Sequence, residues 1–455
     1  NDDKIFSPED LLPVCADLGI GFTYDVHHHR CLPDRLTTDQ ATELALVTWN
    51  REPLFHVSSP LEGWEGPKPN RHHDFINPDD FPKSDVVRAT IGDLLGESVF
   101  VTNGEKWKRQ RRIIDPAFEG GRTKDSFPAM LEAAQSAAAR IEPGVLDVEA
   151  MASHATADVI FRTLFSLPIE DRVAQETYEA FREFQRSQPI ATAAALMSWL
   201  PVRHRGQARH AAQRLRALVA GLVAERQSQI VDGAAPDDLA TKIMTTADPQ
   251  TGETFTTAEM VDQVAIFFLA GHETSASALA WTLYLMALYP EWQEKLAAEV
   301  AKHGTGDFAA VSRLRLTRDV FRETLRLYPP VPMMVREAQC PERFRDREVP
   351  KGSQMVLSPW HLHRHERLWE RPDDFDPGRW QTENGKTCAR NAYMPFSAGA
   401  RVCTGAGFAM VEGVLILAQL LHRFLVERVE GRDPQPVAHL TVRSRNGIWL
   451  RLTER

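Results

Sequence analysis

Apolar residues return at helical spacing through a long middle stretch, from about Glu105 to about Leu327, and predict a mostly helical core. Ala-rich amphipathic segments near 128–141, 172–187 and 207–230 carry that pattern most clearly. Two denser runs, Val264–Gly271 and Val414–Leu421, predict buried helices. Both fall short of the ~18 apolar residues that cross a bilayer. Near the start, Ser7-Pro8-Glu9-Asp10 has the order of a helix N-terminus: a capping hydroxyl, a first-turn proline, then acids. Residues 20–80, rich in Pro, His and aromatics, predict short strands and loops. Further loops are expected at 233–237 and 303–307. After Pro329-Pro330 the texture changes. Pro350-Lys351-Gly352 predicts a turn and Ser353–Ser358 a strand, followed by an irregular segment to about Gly399. A helix from about Gly405 to Phe424 comes next, and Leu440–Leu452 alternates like a hairpin. The fold class is mainly α with a minor β region near both ends.

Composition narrows the function classes. Lys and Arg number 53 against 62 Asp and Glu, a net charge of −9, which argues against a nucleic-acid coat. With 43% hydrophobic and 25% charged residues the chain is ordinary globular material, not a membrane bundle or a disordered tail. The five cysteines, Cys15, Cys31, Cys340, Cys388 and Cys403, are sparse and odd in number, and form neither a disulfide framework nor a C-x-x-C zinc pair. A reducing, cytoplasmic setting is expected.

Candidate chemistry gathers in four strings. Residues 396–405 read Phe-Ser-Ala-Gly-Ala-Arg-Val-Cys-Thr-Gly, one cysteine in a glycine-bounded loop that opens a helix. Gly399 and Gly405 are expected to allow turns that a Cβ obstructs. Backbone N–H groups and the positive helix end favour a thiolate at Cys403, suited to ligate haem iron, with Phe396 shielding the sulfur. Alone, a single cysteine here reads better as a buried structural cysteine after a glycine turn. Glu323-Thr324-Leu325-Arg326 places an acid and a base on one helix face, a pairing common on any surface helix. Ala270-Gly271-His272-Glu273-Thr274-Ser275 puts a polar cluster inside an apolar helix, costly unless satisfied or used. The Thr274 hydroxyl can reach back to the Ala270 carbonyl and loosen the helix there; a kink without chemistry is the alternative reading. In Trp107-Lys108-Arg109-Gln110-Arg111-Arg112, Trp107 and Arg111 share one face and Lys108 and Arg112 another.

Together these strings resemble the cytochrome P450 family, in family order, over about residues 90 to 450. Residues 396–405 match F-x-x-G-x-R-x-C-x-G at Phe396, Gly399, Arg401, Cys403 and Gly405. Glu323 and Arg326 match E-x-x-R, with Pro377-Gly378-Arg379-Trp380 supplying the third member of a buried triad. Residues 270–275 match the oxygen-activation pattern, and Trp107 and Arg111 match W-x-x-x-R. The resemblance implies the single-domain P450 fold over 1–455, matched weakly over 1–85, with haem between the oxygen-activation helix and the cysteine-loop helix. It implies haem b, with Cys403 as metal ligand and Trp107, Arg111, Ala270, Gly271, Thr274, Arg336, Phe396, Arg401 and Gly405 around the cofactor. Thr274 and Glu273 are the implied catalytic pair. Small Ala270 and Gly271 are expected to leave room for dioxygen.

The implied reaction is monooxygenation of an apolar or amphipathic substrate, bounded by Phe267, Ala270, Val331, Met333 and Met334 and by the loop Ile190–Pro201. Electrons are expected from a separate ferredoxin or flavodoxin with its reductase, docking on outward Lys106, Lys108, Arg109 and Arg112. A monomer without an integral membrane segment is expected. Rival readings are a peroxide-driven enzyme, a non-oxidative haem-thiolate enzyme, and a haem-based binding or sensor protein. Retention of Glu273-Thr274 argues against the first two. The histidines of 27–29, 72–73 and 361–365 lack ligand spacing and are expected on surfaces or loops.

Overall fold

The computed structural model describes residues 6–20, 22, 24–25, 29, 32–48, 55–56, 82–83, 85–119, 121–187, 205–339, 341–344 and 347–455. The chain divides into two compact units. One comprises Asn1–Lys83, Arg336–Met355 and Ser397–Val402; the other comprises Ser84–Val335, Val356–Phe396 and Cys403–Arg455.

In the smaller unit, helix α1 (Pro8–Leu18) begins as its sequence requires, with the Ser7 N–H donating to Asp10 Oδ2 at 3.0 Å. Strands β1 (Tyr24–Asp25) and β2 (Phe55–His56) pair in parallel, Tyr24 opposite Phe55 and Asp25 opposite His56. Helix α2 (Thr38–Val47) lies between them in the chain, giving a β-α-β order. This helix corrects the expectation of strands and loops alone over 20–80. Its signal was present in Thr37-Thr38-Asp39-Gln40: Gln40 N–H donates to Thr37 Oγ1 at 3.2 Å and Thr37 N–H to Gln40 Oε1 at 2.9 Å. Leu12, Phe22, Tyr24, Ala41 and Ala45 form an apolar cluster of their own. His29 is buried, contrary to the surface expectation, bonded through Nδ1 to Tyr24 Oη at 2.6 Å and through Nε2 to Asp34 Oδ1 at 3.0 Å. Residues 27–28 and 72–73, the loop Ile190–Pro201, Cys31 and Cys340 lie outside the described residues.

The larger unit is helical from α3 (Asp85–Leu95) and α4 (Gly104–Ile114) through α5 (Thr123–Arg140), α6 (Val148–Phe165), α7 (Arg172–Ser187) and α8 (Arg205–Val231). These include the three Ala-rich segments. α9 (Leu239–Thr245), α10 (Thr257–Leu288), α11 (Pro290–His303) and α12 (Arg315–Leu327) complete the run. α10 is the axis of this unit. Its 32 residues rise about 48 Å at ~1.5 Å each. Thr256 and Glu259 cap it reciprocally, the Thr256 N–H donating to Glu259 Oε2 at 2.9 Å. Most of its residues are buried, and it packs most extensively on α6.

The segment before Gly399 is less irregular than expected. Thr382 caps a nine-residue helix, α13 (Glu383–Asn391), through a hydrogen bond from the Gly385 N–H at 3.0 Å. α14 (Ala406–Arg423) follows the cysteine loop, and Gln354–Leu357 forms the expected strand. α14 is long and apolar enough to cross a membrane by length and composition, and its run Val414–Leu421 is mostly buried in protein. The C-terminal expectation needs correction. β6 (Val442–Ser444) pairs antiparallel with β5 (Pro436–Ala438), not with β7 (Trp449–Glu454). β7 instead lies between β3 (Gly144–Asp147) and β4 (Phe424–Arg428), with Leu450 opposite both Leu146 and Arg428. Alternation showed the strands; it did not show partners some 300 residues away.

Candidate active site

Cys403 stands where loop gives way to α14. Its N–H donates to the Phe396 carbonyl at 2.9 Å, and Ala409 N–H to the Gly405 carbonyl at 2.8 Å starts the helical ladder. The thiol is exposed, whereas Cys388 is buried. Phe396 is half-buried against the main apolar core. Gly399 adopts φ +71°, the conformation expected of it. Gly405 does not: its φ is −85°, and a Cβ there would meet Cys403 Sγ at an ordinary 3.9 Å.

Four consecutive residues of α10 each engage a different partner. His272 Nε2 lies 2.8 Å from Ser153 Oγ of α6, and its carbonyl accepts from Thr156 Oγ1 at 3.1 Å. Burial drives the His272 pKa down to about 3, so the ring is neutral. Glu273 Oε1 accepts from Thr441 Oγ1 at 3.0 Å; its Oε2 is buried with no hydrogen-bond partner among the described residues. Thr274 Oγ1 donates to the Ala270 carbonyl at 2.6 Å, the back-bond expected from the sequence. Ser275 Oγ donates to Glu412 Oε2 of α14 at 2.7 Å. Ala270 is exposed in this otherwise buried stretch, and Thr274 is half-exposed beside it. At Gly271 a Cβ would press on the end of the Ile160 side chain of α6, so its smallness serves helix packing there.

Glu323, Arg326 and Arg379 form the expected buried triad. Arg326 Nη2 and Nε donate to the two Glu323 oxygens at 2.8 and 3.1 Å, and Arg379 Nε donates to Oε1 at 3.2 Å. The arginines spend their remaining donors on the carbonyls of His363, Asp374 and Arg371. Trp380, beside Arg379, packs edge-on to Trp369 and beneath the Arg322 guanidinium at 4.1 Å. His363 is buried, another correction: Nδ1 meets the Arg326 carbonyl at 3.1 Å and Nε2 accepts the Met394 N–H at 2.9 Å. His361 and His365 are exposed as expected.

On α4, Trp107 is buried and the Arg111 guanidinium lies 5.9 Å from its ring, with Nε donating to Asp115 Oδ2 at 2.9 Å. Arg109 and Arg112 are not the outward residues expected. Arg109 donates to Glu259 at 2.7 Å. Arg112 grips the buried Asp248 through Nε at 2.6 Å and Nη2 at 3.0 Å, holding that carboxyl well below the usual range. Lys106 and Lys108 remain substantially exposed, paired with Glu97 and Glu105.

Among the apolar candidates, Phe267, Val331 and Met334 are half-buried and Met333 is exposed. Arg336 and Arg401 belong to the smaller unit. Arg336 is half-buried, forms a β-bridge with Lys83, and has its pKa lowered by burial. Arg401 ends a 3-10 turn, Gly399–Arg401. Sequence reasoning missed Asp262, on the first half of α10. It accepts from the Glu97 N–H at 2.8 Å and from Arg216 Nη2 at 2.7 Å, fastening α8 and the loop after α3 to α10.

The family model for Cytochrome P450 matches residues 70–450. A second, UV-endonuclease UvdE, matches residues 1–95, about a fifth of the chain. Cyclooctat-9-en-7-ol 5-monooxygenase of Streptomyces melanosporofaciens is 33% identical over 362 residues, 78% of each chain. Human Cytochrome P450 4A11 is 30% identical over 400 residues, 82% of this chain and 76% of that one. The solved cytochrome P450DA heme domain superposes with a TM-score of 0.73 at 28% identity, covering 82% of this chain and 84% of that one.

Proposed function

The chain belongs to the cytochrome P450 family and is a haem-thiolate monooxygenase, and from that premise we propose that Cys403 is the iron ligand of haem b and that Thr274 and Glu273 manage protons on the opposite side. Haem, when bound, supplies the iron at which dioxygen is reduced, one oxygen atom passing to an organic substrate and the other to water. Cys403 suits the ligand role by chemistry and place: an exposed thiol at the head of a helix, where the dipole stabilises a thiolate. Trp107 and Arg111 are proposed to hold a propionate, Arg111 by a charge-assisted bond.

The observation that carries the catalytic reading is the Thr274–Ala270 bond beside an exposed Ala270. With its proton committed to that carbonyl, the hydroxyl oxygen can accept from a water and hold it in place. The unpartnered Oε2 gives Glu273 a spare site from which to resupply a proton. Half-buried Phe267, Val331 and Met334 favour an apolar or amphipathic substrate, in keeping with a relative named for a cyclic alcohol. Lys106 and Lys108 are the proposed dock for an acidic ferredoxin or flavodoxin. The test is a spectral-shift screen of fatty acids, terpenes and aromatics, followed by turnover of each hit with a reductase system. NAD(P)H consumption with an oxygenated product supports the reading. Hits that bind without consumption under several reductase pairs oppose it.

A further inference from the structure

Asp115 opens the 3-10 turn Asp115–Ala117 that follows α4, one helical turn beyond Arg111. Its Oδ2 accepts from Arg111 Nε at 2.9 Å, while its Oδ1 is buried and has no hydrogen-bond partner among the described residues. With Nε committed to Asp115, a propionate on Arg111 meets the Nη groups, and one guanidinium then serves two carboxylates. The turn lies against both helices proposed to flank the haem. Phe118, which ends it, has its ring 6.1 Å from that of Phe267 on α10 and 6.4 Å from that of Phe408 on α14. Two carboxylates beside one cation leave a surplus negative charge in a half-buried place, which favours the uptake of one proton. Burial already pushes the Asp115 carboxyl above its ordinary range; Arg111 pulls it down and Glu119 pushes it up. Lys242, on α9 packed against the same turn, is paired with Asp125 at 3.6 Å and Asp237 at 3.5 Å.

We propose that Asp115, a positioning residue for Arg111, couples a proton to the first electron: when the haem iron takes an electron from the reductase system, the Asp115 carboxylate takes a proton from solvent. The electron ends on iron and the proton on a carboxylate oxygen, so the added charge is cancelled nearby. The proposal rests on the reading of Arg111 as a propionate ligand, and its test separates the two. Full-length, haem-loaded protein is compared as wild type, Asp115→Asn, Glu119→Gln and Arg111→Ala. Potentiometric titration is followed by absorbance from about pH 5 to about pH 8. The wild-type midpoint potential should fall as pH rises, by at most ~59 mV for each tenfold drop in proton concentration. Asp115→Asn keeps an acceptor for Arg111 and cannot take the proton, so its slope should shrink several-fold and its potential at neutral pH should lie higher. Glu119→Gln removes a neighbouring charge and not the proton site, so it should keep a slope; loss of the slope there would assign the effect to surface charge and overturn the proposal. A flat wild-type profile overturns it without any variant, as does a slope in Asp115→Asn equal to that of wild type. The propionate reading is tested without redox chemistry, by the rate of haem transfer to apomyoglobin. Arg111→Ala should speed that transfer several-fold. An unchanged rate removes the premise and the proposal with it, whereas faster transfer beside a flat wild-type profile strikes the role of Asp115 alone.

Discussion

At the scale of single residues, chemistry was easier to read than support. Cys403, Thr274, Glu323 and Arg326 stood out because each lies in a short string with fixed local spacing. Asp262, Thr441 and Glu412 did not, because their roles depend on partners 46 to 168 residues away, which no local pattern records. Thr274→Ala should keep NAD(P)H consumption while product per electron falls and peroxide rises; equal coupling in mutant and wild type would reduce Thr274 to a helix-kink residue. Glu323→Ala strands two buried arginines and should cost about 3–5 kcal/mol, seen as poor haem loading and a lowered urea midpoint. A fully loaded variant of normal stability would contradict that. Gly271→Ala tests the packing explanation. Pressure on Ile160 should destabilise by about 1–3 kcal/mol, while a neutral outcome would show that the Ile160 side chain moves aside freely.

Among the elements, α4 and α10 show where periodicity ends. Helical spacing placed Trp107 inside correctly and Arg112 outside wrongly, since it cannot anticipate a buried Asp248 arriving from a distant loop. The two basic residues should therefore respond differently to charge reversal. Lys108→Glu should slow reduction by an acidic partner, an effect that fades with salt because exposed charges are screened over ~10 Å at ~0.1 M. Arg112→Glu should instead destabilise the fold; stopped-flow reduction and urea unfolding separate the two. Wild type should also gain fully from the Arg112–Asp248 pair above about pH 4 and lose that gain progressively as pH falls further, since the carboxyl is depressed in the fold. α14 contributes the opposite slope. Glu412 keeps its proton where the unfolded chain has lost it, so its stabilising share shrinks as pH rises from about 4.5 to about 8. His272 stays neutral where the unfolded chain is charged, so stability also falls as pH drops below about 6.5. Urea midpoints between about pH 6 and about pH 9 should decline less for Glu412→Gln than for wild type. Identical declines would mean that Glu412 is not the titrating group.

Taken whole, the chain carries two kinds of architecture. The larger unit has the helical order anticipated from residue 105 onward, and its C-terminal strands pair antiparallel with partners that alternation did not show. The first part has a parallel β-α-β order, a separate apolar cluster and a match to a different family model over residues 1–95. That explains why the P450 pattern was weak before residue 85. The family's motifs begin later, and Pro- and His-rich texture hid a short helix that only its cap betrayed. A cavity at Leu12, as in Leu12→Ala, should destabilise the smaller unit by about 2–5 kcal/mol, read by hydrogen exchange at Ala41 and Ala45. Unchanged exchange there would show that Leu12 is not part of that cluster's core. The central claim, that Cys403 ligates the haem iron, is tested most directly by the absorption spectrum of the reduced, CO-bound protein. Wild type should show the red-shifted Soret band of a thiolate-ligated haem, and Cys403→His should lose it. A wild-type band at the position of a histidine-ligated haem would contradict it.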